Sequence, residues 1–191
     1  MHNFINFIVR VEADLYAENR VYQKGFFSMF LGAIEQIHQN PIDTVENIFG
    51  QKSFEFERRN LNEIVVEVQG KWSDMLLFFA WEERLKCLHF SCFMNIENKS
   101  CDKSRIFELL AMLNENLWVG HFSYWAEHDA PVFKHSIIVD FQDLNFEHKL
   151  NQIINIALNE CEQLYPVFQA VLVQNIDPKT VLLSSGNYTL Q

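Results

Sequence analysis

The residue types able to do chemistry in this chain are its seven histidines and four cysteines. His121 and His135 fall on two segments, His121 to Ala126 and Val132 to Val139, that read as the arms of a hairpin around Glu127-His128-Asp129-Ala130-Pro131. Pairing across that loop sets Ser123 opposite His135 and His121 diagonal to it on the same face. Two imidazoles so placed could ligate a metal or relay a proton. Cys87 and His89 share one face of a neighbouring segment. A pocket around His89, His121 and His135 is therefore one candidate site, serving a small-ligand sensor or an uncharacterised enzyme. Against a metal, no C-x-x-C or other paired ligand spacing occurs, and a closed zinc site needs four such ligands. The expectation is hydrogen-bonded histidines on a partly covered sheet, with no metal and no cofactor.

Nucleophilic chemistry has as little support. Cys87, Cys92 and Cys161 sit in apolar segments, where cysteine behaves as a small buried hydrophobe; Cys101 is the fourth. No G-x-S-x-G elbow is present. Glu82-Glu83 reads as a solvated turn, and Glu160 and Glu162 flank the apolar stripe of a helix. With six glycines, the chain has no Gly-rich phosphate loop. The expectation is a protein that is not an enzyme.

Charge and hydropathy narrow the partners. The formal net charge is −10, and such a field repels phosphate backbones, which disfavours nucleic acid. Arg58-Arg59 is the only adjacent basic pair, and Glu55, Glu57 and Glu63 surround it. The apolar run Phe4 to Val9 holds Asn6 and has no basic residues before it. The run Met75 to Trp81 is too short to cross roughly 30 Å of hydrocarbon. These features predict a soluble, cytoplasmic protein with reduced cysteines and no membrane partner.

The elements that position these residues follow from periodicity. Asn40-Pro41 starts a helix: Asn caps it, Pro is preorganised at its first position, and Gly50 ends it. Phe54 to Glu57 is a short strand. In Asn62 to Gln69, Ile64, Val66 and Val68 alternate with Glu63, Glu67 and Gln69, which predicts a half-buried strand. Gly70-Lys71 reads as a two-residue hairpin turn, leading into a strand from Trp72 to Ala80. There Trp72, Leu76 and Phe78 share one face, and Met75, Leu77, Phe79 and Trp81 the other. A strand apolar on both faces is covered twice or faces a partner. Leu85 to Met94 is a further strand. Asp102 or Ser100 caps a helix with a stripe of Ile106, Leu109, Leu110, Leu113 and Leu117. The His121 hairpin follows. Asn145 opens a long helix that Pro166 should kink or end, and Asp177-Pro178 starts a last short one. The order α-β-β-β-α-β-β-α predicts an α+β fold, an antiparallel sheet packed with helices. Residues 1–38 read as a loosely organised extension, with a short helix over Phe26 to Ile37. Residues 39–183 read as the domain and 184–191 as a polar tail.

Several words in this order resemble the YbjN family of bacterial sensory transduction regulators. They are Asn40-Pro41, Glu63 to Gly70, Trp72-Ser73-Asp74 with Phe79-Ala80-Trp81, and Leu88-His89-Phe90-Ser91-Cys92. The longest runs from Leu113-Asn114-Glu115 through Trp118, Gly120-His121-Phe122 and Trp125 to Phe133-Lys134-His135. Glu160-Cys161-Glu162 with Tyr165-Pro166 completes it. The resemblance implies a fold similar to type III secretion chaperones, often paired as a homodimer, and carries over no catalytic residue.

The aromatic set points the same way. Trp72, Trp81, Trp118 and Trp125 join 18 phenylalanines, and a sheet covered by a few helices need not hide every ring. The leading expectation is a non-enzymatic regulatory or chaperone-like protein-binding module. It would dimerise and leave a groove for a client segment, with Trp72, Phe79, Trp81, Phe122 and Trp125 as interface candidates.

Overall fold

The computed structural model describes residues 40–52, 54–96 and 102–185. Every described residue belongs to one unit, Asn40–Gln191. The readings made on residues 1–38, on Cys101 and on the tail beyond Ser185 lie outside the described residues.

Helix α1 (Pro41–Gln51) begins where its cap demands: Asn40 Oδ1 accepts from the Ile42 N–H at 2.9 Å. It buries Ile42, Val45, Ile48 and Phe49. Four strands follow, β1 (Phe56–Asn60), β2 (Glu63–Val68), β3 (Met75–Glu82) and β4 (Cys87–Met94). Next come helix α2 (Lys103–Asn114), strands β5 (His121–Trp125) and β6 (Ala130–Ile138), helix α3 (Phe146–Leu172) and helix α4 (Pro178–Ser185). All pairings are antiparallel, and the six-stranded sheet runs β1-β2-β3-β4-β6-β5. The class is α+β, an antiparallel sheet packed with helices.

Several boundaries depart from the periodicity, as where β1 runs Phe56–Asn60 instead of Phe54 to Glu57, and three of the departures are instructive. Gly70-Lys71 does not close a two-residue turn. A longer loop, 69–74, joins β2 to β3, because it is tied to α3 instead of to itself: Glu162 Oε1 accepts the Lys71 N–H at 2.6 Å. A Cβ on Gly70 would lie 2.4 Å from the Ser73 carbonyl oxygen, so the loop can fold this tightly only with glycine. Trp72 accordingly sits in the loop and not in β3. Second, Pro166 does not end α3. Beyond it the helix buries Val167, Phe168, Val171 and Leu172, each worth about 1.5–3 kcal/mol, which outweighs the roughly 3 kcal/mol of an interior proline. Third, helix α4 extends through Ser185, past the polar tail's expected start.

Among the described residues, the helices pack on one face of the sheet, and the opposite face meets none of them; it is the helix-free face in that sense. Ile64, Val66 and Val68 of β2, Met75, Leu77, Phe79 and Trp81 of β3, and Leu88, Phe90, Cys92 and Met94 of β4 form one cluster with Phe122, Phe133 and the buried stripes of all four helices. Residues alternate across a strand, so these side chains belong to a single face of the sheet. Val65 and Val132 are buried but lie outside that cluster, on the other face.

Asn114, the last residue of α2, holds β5 to this core. Its Oδ1 accepts from the Phe122 N–H at 2.7 Å, and its Nδ2 donates to the Phe122 carbonyl oxygen at 2.9 Å. Asn114→Ala would leave both backbone groups of a buried strand position without a partner. The expected cost is about 2–3 kcal/mol, read as a lowered urea midpoint with an unchanged m-value.

Candidate functional site

The face opposite the helices can be read row by row from the strand register. One row crosses all six strands: Glu57, Val65, Phe78, Ser91, Lys134, His121. Beside it runs Glu67, Leu76, Phe93, Val132, Ser123, and on the other side Glu63, Ala80, His89, Ser136. Leu76 is 41% exposed, and Phe78, Phe93 and Trp125 are each half-buried. The Trp125 ring lies 4.6 Å from Phe93 and 3.8 Å from the His128 ring. The face thus has an apolar centre on β3 and β4, carboxylates along β1 and β2, and Lys134 with His121 along β6 and β5.

The histidines do not converge. Ser123 pairs with Val132, not with His135, and His121 pairs with Lys134. The expected pairing is off by three residues, an odd number, which moves a side chain to the opposite face of a strand. His135 stands opposite Phe90 on the helix side, whereas His89 and His121 are on the helix-free side. The cause is the turn. Ala126 to Asp129 close it, Asp129 adopts a φ of 52°, and Ala130 and Pro131 belong to β6. His89 bonds its neighbours instead, Nε2 with Ser91 Oγ at 2.9 Å and Nδ1 with Ser136 Oγ at 3.1 Å. The three-histidine pocket is therefore not formed. Among the described residues, no group of three or more His, Cys, Asp or Glu is placed to hold a metal.

The comparison with known families bears on this architecture. The family model of YbjN, with the description "Putative bacterial sensory transduction regulator", matches residues 41–170, from the first residue of α1 almost to the end of α3. The chain belongs to the YbjN family. A search of curated proteins finds no match. The YbjN description names a regulator and not an enzyme, in keeping with a non-catalytic role. Among the described residues, no helix is long and apolar enough to cross a membrane.

Of the five aromatic interface candidates in this YbjN domain, three are corrected. Phe79 is fully buried, Phe122 is 2% exposed and Trp81 is 8% exposed. All three point into the helices and are core. Trp125 lies on the helix-free face, and Trp72 is half exposed in the loop 69–74. Sequence reasoning missed Leu76, Phe78 and Phe93. The signal lies in β3, apolar on both faces, but its alternation alone does not say which face the helices take. Cys92 and Cys161 are both buried, their sulfurs 3.5 Å apart, and the neighbouring thiol together with burial pushes the Cys161 pKa up. A thiol held protonated this way is inert packing, not a nucleophile.

The titration of these histidines in the YbjN domain has a definite sign. Burial lowers the His89 pKa below its ordinary value, with the charges of Lys134 and His121 adding to it. Burial lowers His135 too, with His121 adding. The folded state therefore binds fewer protons than the unfolded state below about pH 6.5, so both groups favour folding above that pH and lose this contribution as pH falls. Glu160, raised by burial, works in the opposite sense nearer the carboxylate range. The urea midpoint is expected to fall between pH 7.5 and 5.5, with His89 and His135 titrating below free histidine by NMR. A midpoint that rises over this interval would contradict the assignment.

Proposed function

We propose that this chain is a cytoplasmic regulatory module that acts by binding protein, and that its first partner is a second copy laid against the helix-free face of the sheet. The observation that supports this concerns the described residues: their helices bury one face, while Leu76, Phe78, Phe93 and Trp125 lie only partly covered on the other, around Val65, Ser91 and Val132, which the chain buries itself. The charge layout selects a copy of the same chain. A two-fold axis parallel to the strands, between β3 and β4, sets β1 over β5, β2 over β6 and β3 over β4 of the partner. Lys134 then meets Glu63 and Glu67, His121 meets Glu57, and Leu76 meets Phe93. Every contact is made twice, as an isologous interface requires, and sheets stacked this way sit about 10 Å apart.

Sedimentation equilibrium tests the proposal. A reversible dimer that weakens with salt is the expected result, because partly exposed charge pairs are screened. A monomer at every accessible concentration would overturn it. A client segment on the same face would show as a monomer whose Phe78 and Trp125 resonances shift on adding an acidic or apolar peptide.

A further inference from the structure

A second feature lies away from that face. A cavity of about 440 Å³ opens where the loop 69–74 meets the second half of α3, within the usual size of small-molecule sites. The Trp72 and Tyr165 rings border it, parallel to within 1° with centroids 6.3 Å apart. The remaining polar lining is Ser73, Asp74, Asn95 and Gln169. None of these side chains is cationic. The Tyr165 hydroxyl donates to the Asn95 carbonyl oxygen at 3.3 Å, which fixes its ring. The loop carrying Trp72 is pinned from below by Glu162, whose Oε1 holds the Lys71 N–H while its Oε2 is buried without a hydrogen-bond partner. One more contact reports on the ring itself: the Lys71 ammonium stands 4.7 Å from the Trp72 centroid.

We propose that this cleft binds a small organic cation against Trp72 and Tyr165, with Asp74 beside it. The electron-rich faces of tryptophan and tyrosine attract ammonium groups. Asp74 supplies a carboxylate, and the amide oxygens of Asn95 and Gln169 supply further acceptors. The uncompensated Glu162 oxygen adds negative potential behind the loop, and the net charge of −10 raises the local concentration of cations. Lys71 is the chain's own occupant of that field, an internal cation that a ligand displaces. None of the lining residues belongs to the helix-free face, so this site stands or falls independently of the pairing of copies.

The experiment is an NMR titration of the full chain with choline and, in parallel, with 3,3-dimethylbutan-1-ol, which has the same shape without the charge. Choline is expected to shift the Trp72 indole N–H and the Asn95 and Gln169 side-chain amides. The alcohol should bind about tenfold more weakly, the scale of a desolvated cation–π contact. Trp72→Ala, at a half-exposed position that folding tolerates, should weaken choline by a similar factor. Lys71→Met should strengthen it several-fold by vacating the ring. Equal binding of choline and the alcohol, no shift at these residues, or a Lys71→Met chain that binds no better than the parent would each overturn the proposal.

Discussion

Phe79→Ala is expected to remove about 3–5 kcal/mol of folding stability, the range for deleting a fully buried phenylalanine. Phe79 sits at the centre of the core between sheet and helices. Its ring lies 4.8 Å from Phe90 in a stacked arrangement and 6.0 Å from Phe49 of helix α1. The truncation therefore opens a cavity between sheet and helix that neither side can close, since both are rigid elements packed at crystal-like density. A domain of this size holds roughly 5–15 kcal/mol in total, so the loss is a large fraction of its stability. The neighbouring residue is the control. Phe78 is half-buried on the helix-free face, and Phe78→Ala should cost the single chain well under half as much. Urea unfolding of the two variants at low protein concentration reads the difference directly. Equal costs would mean that both faces of β3 are covered by the chain itself.

Phe78→Glu carries the second large effect, on association instead of folding. In the proposed pairing Phe78 lies over β4 of the second copy, beside Phe93, in the apolar centre of the face. A carboxylate there is desolvated opposite a half-apolar surface, and the two-fold axis makes the loss twice over. Central aromatic positions of interfaces are worth about 2–4 kcal/mol each, so dimer dissociation should rise by at least about 100-fold. The far-UV circular dichroism should stay that of the parent, because the residue is outside the core cluster. Trp118→Ala is the matched control. Trp118 is fully exposed but lies off the sheet, between α2 and β5, and its loss should leave association unchanged. A Phe78→Glu chain that dimerises like the parent would move the interface elsewhere.

The contrast between these two neighbouring phenylalanines also shows what was legible before the structure. Alternation in β2, with Ile64, Val66 and Val68 against Glu63 and Glu67, gave the strand and its buried face, because a half-buried strand must segregate polarity with period two. The caps at Asn40 and Asp102 were readable for a similar local reason: short side chains satisfy free N–H groups only at a helix start, and Asp102 Oδ1 does accept from the Ser104 N–H at 3.0 Å. In β3 the sequence is apolar on both sides, so pattern sorted Phe78 from Phe79 but could not say which faces helices. Only the packing of α1 and α3 decides that. The histidine pocket failed for a finer reason. Whether a loop begins at Ala126 or Glu127 costs almost nothing locally, yet an odd slip in register inverts every side chain on one arm. The Trp72 cleft was out of reach because it depends on Glu162, distant in sequence, capturing the Lys71 N–H.

Zero-length carbodiimide coupling between isotope-labelled and unlabelled chains tests the pairing of helix-free faces most directly. Within one chain β6 and β2 are separated by β4 and β3, about 14 Å at ordinary strand spacing, too far for Lys134 to couple to Glu63 or Glu67. The pairing predicts that mixed-isotope products join Lys134 of one copy to Glu63 or Glu67 of the other. Products confined to helix residues such as Lys179 and Glu108, or no coupling between copies at all, would contradict it.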